Sequence, residues 1–340
     1  MLIAVDDRRR YAWLALLTGA LTGALWGSVA VAAADARLSA PPAVASVVGG
    51  AGAPIARFPF QVALYNPQTG SPAAGFFCGG VILDATHVVT AAHCVVGGGP
   101  GHVNVPSEMS VLAGSTHLSP TDPGGVRDAV AYARYDSRYN PFTSDFDVGM
   151  LTLSRPLWGG ATPPSIDGVH TIAPIAIDAG HETSGSGQGS AQAIMATVSG
   201  WGDVNPAPGT GPSYPLGLRA TQLPLVPEGV CEEDYAAIEQ TITPRMLCAG
   251  SPGRRVDSCY GDSGGPLVVD RDTPAHPPED YVLVGLVDFG NGCAQPGYPG
   301  VYARIADPEI ERFLAAGVGH RASIAGRQSR KRKRKRGRPR

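Results

Sequence analysis

From Val47 to Ile305 the chain is a succession of short apolar or alternating runs cut apart by Gly, Pro, Asn and Asp, and this rhythm constrains the fold most. Phe60–Tyr65, Val81–Leu83, Val148–Leu153, Ala196–Trp201, Pro266–Val269 and Tyr281–Phe289 are strand-sized segments bounded by turn residues. The 45 glycines and 31 prolines supply those turns and leave little room for long helices. The pattern predicts an all-β barrel or sandwich. One helix is expected near the end. Asp307 can cap it, Pro308 suits its first turn, and Ile310, Phe313 and Leu314 share one face. The Gly/Ser/Gln-rich stretch 180–192 and the Pro/Gly-rich stretch 203–218 read as exposed loops.

Both ends differ from this body. Arg8, Arg9 and Arg10 precede an uncharged stretch from Tyr11 to Ala34, and Ala32, Ala34 and Ala36 offer small-residue cleavage positions. Residues 1–36 are therefore expected to be an export signal, with a retained membrane anchor as the alternative because the stretch is long. No other segment is long and apolar enough to cross a bilayer. Residues 37–46 read as a short pro-segment, 47–318 as the folded domain, and 319–340 as a disordered basic tail. Ten of the 27 Lys and Arg residues lie in 327–340, which holds no acid, so the net −2 of the whole chain conceals −12 upstream of that tail. The tail suits an acidic polymer, and a solvated, removable extension is the rival reading. It has no interleaved aromatic residue for stacking on bases. Six cysteines, Cys78, Cys94, Cys231, Cys248, Cys259 and Cys293, agree with disulfides in an exported chain. Their spacing leaves fifteen connectivities open. None forms a C-x-x-C pair, so no zinc site is expected.

Three residues carry the chemistry. Ser263 stands in Gly261-Asp262-Ser263-Gly264-Gly265-Pro266, where glycines let backbone N–H groups face a developing oxyanion. A serine nucleophile needs a base, and His93 follows the apolar Val88-Val89 within Thr90-Ala91-Ala92-His93-Cys94. Its neighbour Cys94 can pin the loop, whereas the other seven histidines read as ordinary surface residues. The imidazole needs a carboxylate to fix its tautomer. Asp147 abuts the apolar run Val148–Leu153, where an unpartnered carboxylate would be costly, and is preferred over Asp145.

With these residues in place, the chain resembles the trypsin/chymotrypsin family of serine proteases. The resemblance runs from about Val47 to Ala316. It is carried by Val47-Val48-Gly49-Gly50, TAAHC at 90–94, FDVGML at 146–151, SGWG at 199–202, DSCYGDSGGP at 257–266 and PGVYARI at 299–305. The order His, Asp, Ser is also the family's, and excludes an esterase of the α/β-hydrolase order. The resemblance implies two six-stranded antiparallel β-barrels with the active site between them and a short C-terminal helix. It implies disulfides Cys78–Cys94, Cys231–Cys248 and Cys259–Cys293, with oxyanion donors from the N–H groups of Gly261 and Ser263. It places Asp257 at the floor of the substrate pocket, Ser258 beside it, Phe289 as an aromatic wall, and Gly290 and Gly300 where small residues admit a long side chain.

The implied activity is secreted endopeptidase cleavage after Arg or Lys, without cofactor or metal, on protein or peptide substrates and subject to proteinaceous inhibitors. A catalytically weak binding protein attached to acidic polymers by its tail is the rival. Val47 would be the mature N-terminus, its freed ammonium pairing with Asp262. Residue 46 is Ser, so the enzyme is not expected to release its own Val47. Gly97–Ser110 contains Glu108 as its sole acid, and no calcium is expected there. A further departure is Asp288-Phe289-Gly290 where the family usually has Ser-Trp-Gly. A second carboxylate near Asp147 either turns away or shares a proton.

Overall fold

The computed structural model describes residues 47–97, 104–119, 125–163, 171–178, 193–205, 212–251, 253, 255–271 and 280–318. The expected signal and pro-segment, the stretch 180–192 and the basic tail lie outside the described residues.

The strands are β1 (Ala51–Gly52), β2 (Gln61–Tyr65), β3 (Phe76–Ile82), β4 (His87–Thr90), β5 (Ser110–Ala113), β6 (Val126–Tyr135) and β7 (Gly149–Leu153), followed by β8 (Ala176–Ile177), β9 (Met195–Gly200), β10 (Arg219–Val226), β11 (Met246–Ala249), β12 (Pro266–Asp270), β13 (Tyr281–Phe289) and β14 (Gly300–Arg304). The first barrel closes in the order β2-β3-β4-β7-β6-β5. The second follows β10-β11-β14-β13-β12-β9 and closes where β9 pairs β10. All twelve barrel strands pair antiparallel. The short β1 adds to β10, and β8 runs parallel to β13. Closure leaves neither sheet with a long open edge. The expected two-barrel, all-β class is the one observed.

Each barrel has its own apolar filling. Val62, Leu64, Ile82, Val88, Val111 and Leu151 occupy the first, and Ala196, Val198, Leu223, Leu267, Val284 and Tyr302 the second. A third set draws on both barrels. Phe58 stacks on Tyr281 at 5.5 Å, and Phe76 meets Trp201 edge-on at 6.4 Å. These aromatic pairs hold the barrels together and so fix what lies between them.

The terminal helix, here α4 (Pro308–Gly317), forms as its residues predict, with Asp307 accepting hydrogen bonds from the Glu309 and Ile310 N–H groups. Ile310 and Leu314 are buried, and Arg134 of β6 donates to the Phe313 carbonyl at 2.7 Å. Three further α-helices among the described residues were not legible: α1 (Pro72–Gly75), α2 (Ala92–Val96) and α3 (Glu228–Ala236). The last buries little besides Cys231 and Tyr235, one turn apart. Its docking comes from the Cys231–Cys248 disulfide and from the Tyr235 hydroxyl, which donates to the Pro299 carbonyl at 2.7 Å. In the stretch 203–218 the described residues between the buried Asp203 and Leu218 are mostly exposed, Tyr214 and Leu216 among them, as expected of a loop.

Candidate active site

Strand β4 leads through the extended Ala91 into α2, which carries His93, and the Cys78–Cys94 disulfide ties that turn to β3. The start of β7 presses on the same turn. A Cβ on Gly149 would lie 3.0 Å from the Ala91 carbonyl oxygen, so glycine allows the close approach. Asp147, two residues earlier, thereby reaches His93. Its Oδ2 stands 2.7 Å from His93 Nδ1, and its Oδ1 accepts the His93 backbone N–H at 2.8 Å. Asp147 is fully buried. Burial alone would raise its pKa, but the charge and hydrogen bonds of His93 outweigh that and hold it below the ordinary value. Burial likewise acts to lower the His93 pKa, and the Asp147 charge and hydrogen bond reverse the direction.

Asp145 points elsewhere. It accepts from Arg245 Nε at 2.7 Å, from Arg245 Nη2 at 2.8 Å and from the Thr243 hydroxyl at 2.8 Å. Ser144 and Phe146 both have left-handed backbones (φ 56° and 58°), and Arg138 and Arg245 stack on the Phe146 ring at 4.0 and 4.5 Å. A bulky residue rarely adopts that conformation, so the stacked guanidinium groups hold a strained turn that aims Asp147 inward. Neither arginine stands out in the sequence, where nothing links residue 245 to residue 145.

Ser263 comes from the second barrel. Gly261 (φ 94°) and Gly264 (φ 72°) need positive φ, and the buried Asp262 anchors the turn by accepting from Gly202 N at 2.8 Å and Cys259 N at 2.9 Å. The Ser263 carbonyl accepts from Gly79 N of the first barrel at 2.8 Å. A Cβ on Gly264 would sit 2.8 Å from Ala91 N, two residues before His93. The serine turn thus packs directly against the segment that delivers the imidazole. Among the described residues, the N–H groups of Gly261 and Ser263 have no acceptor, which leaves them available as a pair of donors.

Beside Ser263 opens a cavity of about 210 Å³, lined also by Asp257, Ser258, Phe289, Gly290 and Gly300. Asp257 is 4% exposed. Its Oδ2 accepts from Ala294 N at 2.9 Å, while Oδ1 has no hydrogen-bond partner. Burial raises its pKa to about 7. A Cβ on Gly300 would lie 2.7 Å from that free oxygen and would block the approach to it. Ser258 Oγ lies 3.2 Å from the Tyr302 hydroxyl, and Cys259–Cys293 braces the walls. Ala294 does not stand out in the sequence because its contribution is a backbone N–H, and Tyr302, although inside the PGVYARI motif, carries no expected role there.

Val47 is wholly buried in the filling of the second barrel, with φ 39°, an unusual conformation for a β-branched residue. The Asp262 pKa is raised to about 6 by burial, and its partners are backbone N–H groups rather than a cation.

Asp288 does not turn away. It is 6% exposed, neither carboxyl oxygen has a hydrogen-bond partner, and it lies with Asp147 and His93 such that one donor atom from each falls within 4.8 Å of the others. As metal ligands this trio would compete with the 2.7 Å His93–Asp147 bond. Among the described residues the other grouping of that kind, Cys78, His93 and Cys94, has both sulfurs in a disulfide.

Two closed antiparallel barrels, one carrying an imidazole–carboxylate pair and the other a glycine-flanked serine, define the architecture of a two-barrel serine protease. Comparison with known proteins agrees. The family model described as Trypsin matches residues 47–309. The chain is 33% identical over 276 residues to a trypsin of Saccharopolyspora erythraea, covering 80% of this chain and 100% of that protein. It is 32% identical over 261 residues to trypsin-1 of Astacus astacus, covering 76% and 95%. It is 33% identical over 264 residues to a vitellin-degrading protease of Bombyx mori, covering 76% and 81%. This chain belongs to the trypsin family of serine proteases.

Proposed function

We propose that the protein is an exported endopeptidase that cleaves after Arg or Lys through an acyl-enzyme. The observation that carries the specificity is Asp257, a buried carboxylate with one free oxygen, in the cavity beside Ser263. Such a group needs a cation, and a substrate guanidinium or ammonium supplies it. Ser263 Oγ attacks the scissile carbonyl, and His93 takes its proton through Nε2 and returns it to the leaving amine. Asp147 holds the Nδ1 tautomer and stabilises the imidazolium. The free N–H groups of Gly261 and Ser263 stabilise the oxyanion. These are the roles established for the trypsin family's own triad, and they transfer by position onto residues whose geometry fits them.

Activation needs a cut between Ser46 and Val47, by another protease or by signal-associated processing, after which the new ammonium pairs with Asp262. The N-terminal segment supports export, and the tail supports attachment to acidic polymers. The test is a panel of matched peptides with Arg, Lys, Phe or Ala at the cleaved position, given to Val47-started protein with Ser263→Ala as control. Cleavage after Arg and Lys alone, lost in the control, supports the reading. A folded protein with Val47 free that cleaves none of them favours the binding protein instead.

A further inference from the structure

Asp288 departs from the family's usual serine, and the structure shows what its surroundings demand. It lies on β13 beside Asp147, inside the protein, with neither oxygen in a well-formed hydrogen bond and the Ser144 side chain giving its charged form some support. The groups facing it are Ser144, Asp145 and Asp147 from the turn before β7, Tyr139 ahead of that turn, Tyr235 from α3, and His93 beyond Asp147. None brings a cation to Asp288. Arg245 is committed to Asp145, and His93 to Asp147. Two ionised carboxylates side by side without a counterion are strongly disfavoured, and one retained proton removes the conflict. Asp147 has room for that proton. Its two oxygens offer about four acceptor positions, and His93 fills two.

We propose that Asp288 is a positioning residue that stays a neutral carboxylic acid at working pH and donates its proton to Asp147, so that a carboxyl–carboxylate pair with one negative charge orients His93. The proposal rests on the reading of His93, Asp147 and Ser263 as the triad. Burial and the Asp147 charge push Asp288 well above the ordinary carboxylate range, which agrees with it. During attack, the Ser263 proton passes to His93 Nε2, the pair keeps its own proton, and one imidazolium faces one negative charge. The carboxylic acid thus replaces the hydroxyl usual at this position in the family, and it does so without adding charge at neutral pH.

The test uses active Val47-started protein, and an inactive parent would count against the triad reading before any variant is compared. kcat and KM are measured from about pH 5 to pH 9 for the parent, Asp288→Asn and Asp288→Ala, and His93 is titrated by NMR. Asn is neutral and keeps an N–H donor. His93 should therefore titrate at the same pH in the parent and Asp288→Asn. Asp288→Ala, without a donor, should lower kcat roughly tenfold with KM little changed. The parent should show an infrared protonated-carboxyl band at about pH 8 that Asp288→Asn lacks. A fall of about one pH unit or more in the His93 titration of Asp288→Asn would mean that an ionised charge was removed, and it overturns the proposal. So would identical kcat profiles in all three proteins, which would leave Asp288 no positioning role.

Discussion

The backbone N–H of Asp257 donates to the carbonyl of Val48 at 3.1 Å, and the two residues form an antiparallel bridge. The cavity beside Ser263, which Asp257 lines, is therefore joined to the residue after the expected mature N-terminus. The adjoining Val47 is buried in the second barrel, and Asp262 organises the serine turn from within. In the proposed activation, a cut before Val47 frees an ammonium to pair with Asp262, which now accepts from the backbone N–H groups of Gly202 and Cys259. Val47-started protein should exceed protein retaining residue 46 by at least about 100-fold in kcat/KM, since the oxyanion donors depend on that turn. Asp262→Asn should lose most of this gain. Equal activity of the two starts, read with one Arg peptide, would disconnect the N-terminus from the site.

Asp257 makes the pocket sensitive to pH. Its carboxyl, pushed up to about 7 by burial, must lose its proton to pair with a substrate cation. Binding of a small amidine or guanidine inhibitor should therefore weaken as pH falls below about 7, approaching tenfold per pH unit. Asp257→Ser should cut kcat/KM for Arg peptides on the order of 10³-fold, the size expected when one partner of a buried ion pair is removed. Inhibitor affinity that stays flat between about pH 5 and pH 8 would place the binding charge elsewhere.

Much of this site was legible because short motifs encode local geometry. Thr90–Cys94, Gly261–Pro266 and Asp307–Pro308 each fold through nearby hydrogen bonds and glycine or proline backbones. Strand-sized runs likewise predicted an all-β barrel or sandwich, and the family resemblance implied the two barrels, although Val81–Leu83 covers only the last two residues of β3, whose Gly79-Gly80 interrupts the apolar pattern. Contacts between distant residues were illegible. Arg245 with Asp145, Arg138 on Phe146 and Tyr235 with Pro299 pair residues that no local period connects. The docking of α3 through one disulfide also leaves no amphipathic stripe to read.

Arg245 should matter without touching substrate. It binds both oxygens of Asp145 and stacks on Phe146, next to Asp147. Arg245→Ala leaves Asp145 half-satisfied and frees a strained turn. The expected cost is about 1–3 kcal/mol of stability, with kcat reduced roughly tenfold and KM little changed. Denaturant unfolding and peptide kinetics on the same preparation separate the two effects. A parental kcat at reduced stability would mean that the turn holds its shape alone.

Gly79 is where the two halves of the site touch. Its N–H binds the Ser263 carbonyl, and a Cβ there would lie 2.9 Å from Gly265 Cα, a backbone atom that cannot swing aside. Gly79→Ala should therefore push the serine turn away from the His93 segment. A displacement approaching 1 Å can cost on the order of 10²-fold in rate. The loss should fall on kcat, with inhibitor binding at Asp257 largely kept. Equal losses in both would locate the damage in the pocket rather than in the spacing of Ser263 and His93.

The buried acids also set a direction for stability. Asp257 and Asp262 have folded-state pKa values raised to about 7 and about 6, while in the unfolded chain each titrates in the ordinary carboxylate range. Across that window the folded chain holds protons that the unfolded chain has shed, so stability falls as pH rises. His93, also raised, contributes in the same direction. Asp145 opposes this only at lower pH. Burial raises it, but Arg245 and Thr243 outweigh burial and depress it, so its contribution is lost as pH falls below the ordinary range. Protein retaining residue 46 should show a urea midpoint that declines from about pH 5 to pH 8. The slope should be shallower once Val47 is free, because its ammonium lowers the Asp262 pKa. A midpoint that climbs toward pH 8 in both forms would mean that neither acid is held protonated by the fold.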